Sequence, residues 1–143
     1  MSKIVKVNKK ELRRVGRFEK AEWHKLDLEH YGEAMIEYMD NKFHLVVKEN
    51  GKIIGTIKGT CELGVVYVSS LIVAEGRRGR GVGQALLGRA VKDGKKLGCH
   101  KVFLFTGASW RANEFYTHLG YKKTGQMLNF YHHHDFNIYE KDL

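Results

Sequence analysis

The residues with the greatest capacity for chemistry lie in one run, Gly76-Arg77-Arg78-Gly79-Arg80-Gly81-Val82-Gly83. Glycines let backbone N–H groups approach an anion with no Cβ in the way, and three arginines add positive charge. The run follows an apolar, β-branched stretch from Val65 to Val73 and precedes a segment of good helix formers. A strand feeding such a turn and then a helix brings the positive end of the helix to the same spot. The chemistry expected is the holding of a phosphate-bearing ligand. Two common phosphate loops do not fit. A G-x-G-x-x-G fingerprint beginning at Gly79 or Gly81 needs glycine at 84 or 86, where the chain carries Gln84 and Leu86. A P-loop needs Gly-Lys-Ser/Thr at its end, and this turn has none.

Other reactive residues carry less. His132, His133 and His134 precede Asp135, but neighbours on a strand point to opposite faces, so only His132 and His134 could share a ligand. A polar hairpin tip is the reading adopted, and no metal site is expected. Cys61 and Cys99 are too few for a disulfide framework and lack metal-ligand spacing.

The elements that position the turn follow from pattern. Lys3 to Val7 alternates as a short strand would, and Asn8 with Glu11 three positions on resembles a helix cap. Helices are expected over Lys9–Trp23 and Asp27–Met39, the second with Leu28, Tyr31, Met35 and Tyr38 on one side and Glu29, Glu33 and Glu37 on the other. Phe43–Lys48, Lys52–Glu62 and Val65–Val73 then read as an antiparallel meander, with Asn50-Gly51 and Leu63-Gly64 as its turns. The helix after Gly83 places Leu86, Leu87, Ala90, Val91 and Leu97 toward a core and ends at Gly98. His100–Thr106 reads as a buried strand, Ser109–Leu119 as a short helix ending at Gly120, and Lys122–His132 and Asp135–Lys141 as closing strands. The order is βααβββαβαββ. The strand–helix–strand unit in the middle requires a crossover, so its two strands should be parallel within an otherwise antiparallel sheet.

At 143 residues the chain is read as one α/β domain, residues 1–143, with enough length for a packed core. Hydrophobic content of 43% and charged content of 29% exclude a disordered chain, and no apolar run reaches the roughly 18 residues that span a bilayer. The amino terminus has no apolar core of a secretion signal, so a cytoplasmic protein with no membrane partner is expected. The net charge of +9 suits nucleic acid, an acidic protein surface or a phosphorylated cofactor, and equally a solvated basic surface.

One pattern does fit the turn: R-x-x-G-x-G, filled by Arg78, Gly81 and Gly83. Downstream, Ala112-Asn113-Glu114-Phe115-Tyr116-Thr117-His118-Leu119-Gly120-Tyr121 fits A-x-x-F-Y-x-x-x-G-F/Y. Together with the LIVAEGRRG strand end, these motifs resemble the GNAT superfamily of acyl-CoA-dependent N-acyltransferases. The resemblance covers about Gly51 to Leu143 by motif and the first fifty residues by element order alone. It implies a mixed, mostly antiparallel sheet with helices on both faces and a central parallel pair. It also implies acetyl-CoA as co-substrate, bound through Leu71, Ile72 and Val73 along the pantetheine arm. Arg78, Gly79, Arg80, Gly81, Val82, Gly83 and Gln84 would then surround the pyrophosphate. The amide of Leu71 would serve the thioester carbonyl, and Tyr116 would be the general acid for the departing thiolate.

Two positions depart from the family pattern. Ser109 stands where relatives often have asparagine. Tyr67, fourteen residues before Gly81, stands where several have a glutamate base, leaving Glu62 as a substitute. The function implied is direct acetyl transfer to a primary amine in a ternary complex, with no covalent enzyme intermediate. Trp23, Tyr31 and Tyr38 are candidates for an acceptor groove, although core packing is the stronger reading of each. A non-catalytic acyl-CoA-binding module is the alternative. A basic nucleic-acid-binding domain ranks third, since no recognition helix or aromatic RNA motif is present. Relatives often form homodimers. The acceptor, the base, the acyl preference and the oligomeric state stay open at this level.

Overall fold

The amino-terminal helix is capped as its sequence predicts. In the computed structural model, which describes residues 2–33 and 41–143, Asn8 Oδ1 accepts from the N–H groups of Lys10 (3.0 Å) and Glu11 (3.2 Å). Glu11 Oε2 in turn accepts from the Asn8 N–H at 3.3 Å, which completes a reciprocal capping box. Helix α1 then spans Leu12–Tyr31, starting three residues later than expected. It runs without interruption through His24, Lys25 and Leu26, where two separate helices were expected, because no glycine or proline breaks it there. Gly32, at φ 75°, takes a left-handed cap and donates to Leu28 O at 3.1 Å, which ends α1 at Tyr31. The expected positions Met35, Glu37 and Tyr38 lie outside the described residues. The strand expected at Lys3–Val7 is not formed, and Ile4 and Val5 are exposed. A lone strand has no partner to satisfy its backbone.

This helix belongs to a unit within Met1–Glu37, and everything that follows belongs to a second unit within Tyr38–Leu143. The second unit contains β1 (Asn41–Glu49), β2 (Lys52–Glu62), β3 (Val65–Val73), α2 (Val82–Lys96), β4 (Lys101–Gly107), α3 (Ala112–His118), β5 (Lys122–Met127) and β6 (Phe136–Asp142). The strands form one sheet in the order β1-β2-β3-β4-β6-β5. The β3–β4 pair is parallel and the other neighbours are antiparallel, as the crossover through α2 demands. Asn50 (φ 49°) and Gly51 (φ 78°) make the predicted two-residue turn.

Alternation puts Ile57, Val66, Val102 and Leu104 on one face, all essentially inaccessible to solvent. Leu86, Leu87 and Ala90 of α2 and Tyr116 of α3 pack into the same core. Leu97 does not: it caps α2 from beyond the helical period and stands exposed, while Cys99 turns inward. The strand expected over Lys122–His132 stops at Met127. Asn129, His132 and His133 take positive φ values and fold the connection into a turn before β6. Among the described residues no helix is long and apolar enough to cross a membrane.

Candidate active site

The site grows from a defect in β3. Val68 lies opposite Gly59 and Ser70 opposite Lys58, so Ser69 is an extra residue and the strand is bulged. Ser69 Oγ donates to Lys58 O at 3.1 Å and fixes the bulge. Bulges bend and twist a strand, and pairing of β3 with β4 ends here, at Val68 opposite Leu104. β4 continues to Gly107 against β6, while β3 continues to Val73 against β2. A gap therefore opens between two central strands.

Backbone alternation determines what faces that gap. Ala74 donates its N–H to Ile54 O on β2 at 2.8 Å, so Ile72 also turns its groups to β2, opposite Thr56. Leu71 and Val73 then direct theirs away from β2, into the gap. Of the three residues expected to offer backbone groups, Leu71 turns both of its groups to the gap and Val73 its N–H, the Val73 carbonyl being taken by Arg78 Nε at 3.0 Å. Ile72 offers only its exposed side chain.

β3 leads straight into the glycine turn. A short 3-10 turn at Glu75–Arg77 is followed by Gly79 (φ 74°) and Gly81 (φ 79°), both left-handed and both with open space where a Cβ would be. Gly81 caps α2, which starts at Val82, without any side-chain hydrogen bond and with no acidic residue in the first turn. The N–H groups of Val82, Gly83 and Gln84 are thus first-turn donors with no intrahelical acceptor. A Cβ on Gly83 would sit 3.4 Å from Phe115 Cζ and 3.6 Å from Val73 Cγ2, so the turn, β3 and α3 meet there.

The three arginines divide their work. Arg77 Nε pairs with Glu49 Oε2 at 2.6 Å, and Arg78 Nε donates to Val73 O at 3.0 Å. Both brace the turn. The exposed Arg80 side chain has no partner among the described residues and is the one left for an anion.

Tyr116 is buried on α3 among the rings of Phe115 (5.1 Å), Tyr121 (5.7 Å) and Tyr139 (5.9 Å between centroids). Burial pushes its hydroxyl up to about 12, so it is protonated near neutral pH. Its seven-residue helix is held by Asn113, a residue the sequence reading did not single out. Asn113 Nδ2 donates to Gly107 O (2.8 Å) and Trp110 O (2.7 Å), while its Oδ1 accepts from Asn137 Nδ2 (2.8 Å) and Tyr139 OH (2.9 Å). The available signal was an asparagine in the first turn of a helix just past a strand ending in glycine. Ser109, at the position of the family asparagine, is exposed.

The base side differs from expectation. Tyr67 stacks on Phe103 at 4.8 Å, and its hydroxyl is raised first by burial and then by Tyr131. Glu62 lies opposite Val65, six residues from Leu71 along β3, or about 20 Å at strand rise. It is too remote to serve the gap. Trp23 and Tyr31 are exposed on α1 rather than core, and Tyr38 lies outside the described residues.

The acetyltransferase (GNAT) family model matches residues 12–121. An acetyltransferase from Bacillus cereus ATCC 14579 is similar at 26% identity and a TM-score of 0.72, over 99% of this chain and 98% of that one. A protein from Agrobacterium tumefaciens assigned as an acetyltransferase gives 22% and 0.70 over 100% of both chains. A protein from Bacillus anthracis str. Ames, assigned as a streptothricin acetyltransferase and solved with acetyl coenzyme A, gives 19% and 0.67 over 76% of this chain and 66% of that one. No curated protein is significantly similar to the chain.

Proposed function

The chain belongs to the acetyltransferase (GNAT) family, and from that premise we propose that it transfers an acetyl group from acetyl-CoA to a primary amine by direct attack. One observation carries this reading: the edge of β3 beyond Val68, which β4 leaves unpaired and where Arg78 Nε takes the Val73 carbonyl, runs into the open amino terminus of α2. The pantetheine amides add to that edge as an extra strand would. The pyrophosphate lies against the first-turn N–H groups of α2, with Gly79 and Gly81 clearing its approach and Arg80 adding charge.

The neutral amine forms a C–N bond to the thioester carbon. The Leu71 N–H stabilises the oxyanion of the tetrahedral intermediate. Collapse breaks the C–S bond, and Tyr116 supplies a proton to the leaving thiolate. The proton lost by the amine passes to water, since Tyr67 stands where a carboxylate would take it. That arrangement favours amines with pKa values near 8 over lysine-type amines near 10.4.

The test is calorimetric titration with coenzyme A, followed by thiol release from acetyl-CoA across a panel of amines. Binding without release above hydrolysis for any amine would overturn catalysis. It would leave the non-catalytic acyl-CoA-binding reading, which the tyrosine at position 67 favours.

A further inference from the structure

Behind the gap, on the face of the sheet opposite the α2-covered core, lies a cavity of about 400 Å³. Its floor follows from register. Val66 and Val68 point into the core, so Tyr67 and Ser69 point the other way, joined by Lys58 and Thr60 from β2 and His44 from β1. The cavity therefore shares Ser69 with the bulge that opens the gap.

The walls carry two kinds of group. One is aromatic: Phe43 and His44 of β1 and Tyr67 of β3 line the cavity, and Tyr67 is backed by Phe103, on which it stacks at 4.8 Å. Flat rings on the wall take a planar apolar body. The other is cationic and hydroxylic. The Lys58 ammonium has no partner among the described residues, and Lys42 lines the same cavity. Among the described lining residues there is no carboxylate. Such a wall disfavours a polycation and attracts an acid group, which Lys58 holds with a charge-assisted hydrogen bond.

We propose that the acceptor is a small aromatic amino acid, whose ring packs against Tyr67 and whose carboxylate is held by Lys58 while its amine faces the gap. Lys58 is then a specificity-determining residue. The proposal rests on the acetyl-transfer reading, and its test does not depend on turnover.

Calorimetry on the full chain compares L-phenylalanine, phenethylamine (the same molecule without its carboxylate) and spermidine, for the wild type and Lys58→Gln. Phenylalanine is expected to bind about tenfold tighter than phenethylamine, with Lys58→Gln removing that advantage and leaving phenethylamine unchanged. Lys58 is exposed, so the variant keeps its fold. No binding of phenylalanine, equal or tighter binding of phenethylamine or spermidine, or an unchanged ratio in Lys58→Gln would each overturn the proposal. Coenzyme A affinity in the same preparation is a separate readout: its loss refutes the donor site and leaves the acceptor comparison standing.

Discussion

Replacing Asn113 by alanine should damage stability and catalysis together, because one side chain anchors the helix that carries Tyr116, the proposed proton donor. Four hydrogen bonds between 2.7 and 2.9 Å disappear, one to the Gly107 carbonyl at the end of β4, one to the Trp110 carbonyl in the turn that follows, and two from β6. At about 1 kcal/mol net each, their sum is about 4 kcal/mol. Asn137 and Tyr139 are 6% and 5% exposed, so their polar groups lose a partner where little water reaches. Partial repacking offsets some of this, and the expected loss is about 3–5 kcal/mol. For a chain of 143 residues that corresponds to a fall in Tm of about 10–15 °C.

The helix cannot compensate, since seven residues are too few to hold helical form alone. Thermal melting by circular dichroism measures the first effect. Thiol release measured well below the new Tm measures the second, where kcat should fall about tenfold or more as Tyr116 loses its position. Asn113→Asp tests the polarity: it keeps the shape but turns a carboxylate toward the Gly107 and Trp110 carbonyls, so it should lose at least as much. A drop in Tm under about 3 °C, or an unchanged kcat in the folded variant, would refute the claim that this network positions α3.

Four further outcomes follow from the geometry. Tyr116→Phe should lower kcat about 100-fold with little change in coenzyme A affinity, seen by pairing thiol release with titration calorimetry. Burial raises Tyr116 and Tyr121 to about 12 each, above the unfolded value of 10. Their contribution is therefore complete below pH 10 and lost as pH rises to 12, about 2–3 kcal/mol each. Urea titrations across that range should show the loss, reduced in Tyr121→Phe. Gly94→Ala places a Cβ 2.4 Å from Val66 Cγ2 and should cost about 1–3 kcal/mol with coenzyme A affinity intact. Gly81→Ala meets no atom, costs about 1–2 kcal/mol for its left-handed backbone, and should weaken coenzyme A, a contrast that denaturation and titration resolve. Arg80→Gln should weaken coenzyme A and flatten its salt dependence with Tm unchanged. Arg78→Gln, which frees Val73 O, should lower Tm as well.

Local chemistry was legible in the sequence. Asn8 and Glu11 cap a helix, Asn50-Gly51 turns a hairpin, and a β-branched run ending in Arg78, Gly81 and Gly83 makes a strand, a left-handed turn and a helix start. Each depends on residues within a few positions of one another. The parallel β3–β4 pair also followed, because the α2 crossover admits no other hand or direction. What required the tertiary structure were the features fixed by a partner distant in sequence. The bulge at Ser69 depends on the register of β2, and it alone decides that Leu71 and Val73 face the gap while Ile72 does not. Arg77 is occupied by Glu49, 28 residues earlier, and Asn113 is occupied by Asn137 and Tyr139 across the sheet. Three arginines that look alike in the sequence become two braces and one free charge. Glu62 is excluded as a base by its distance along β3, which no count from the glycines could reveal. The proposed donor half of the site was legible in the sequence by itself, because a glycine turn and the helix start after it are made of consecutive residues. The acceptor half proposed here, with Lys58 beside Tyr67, depends on separate strands laid side by side.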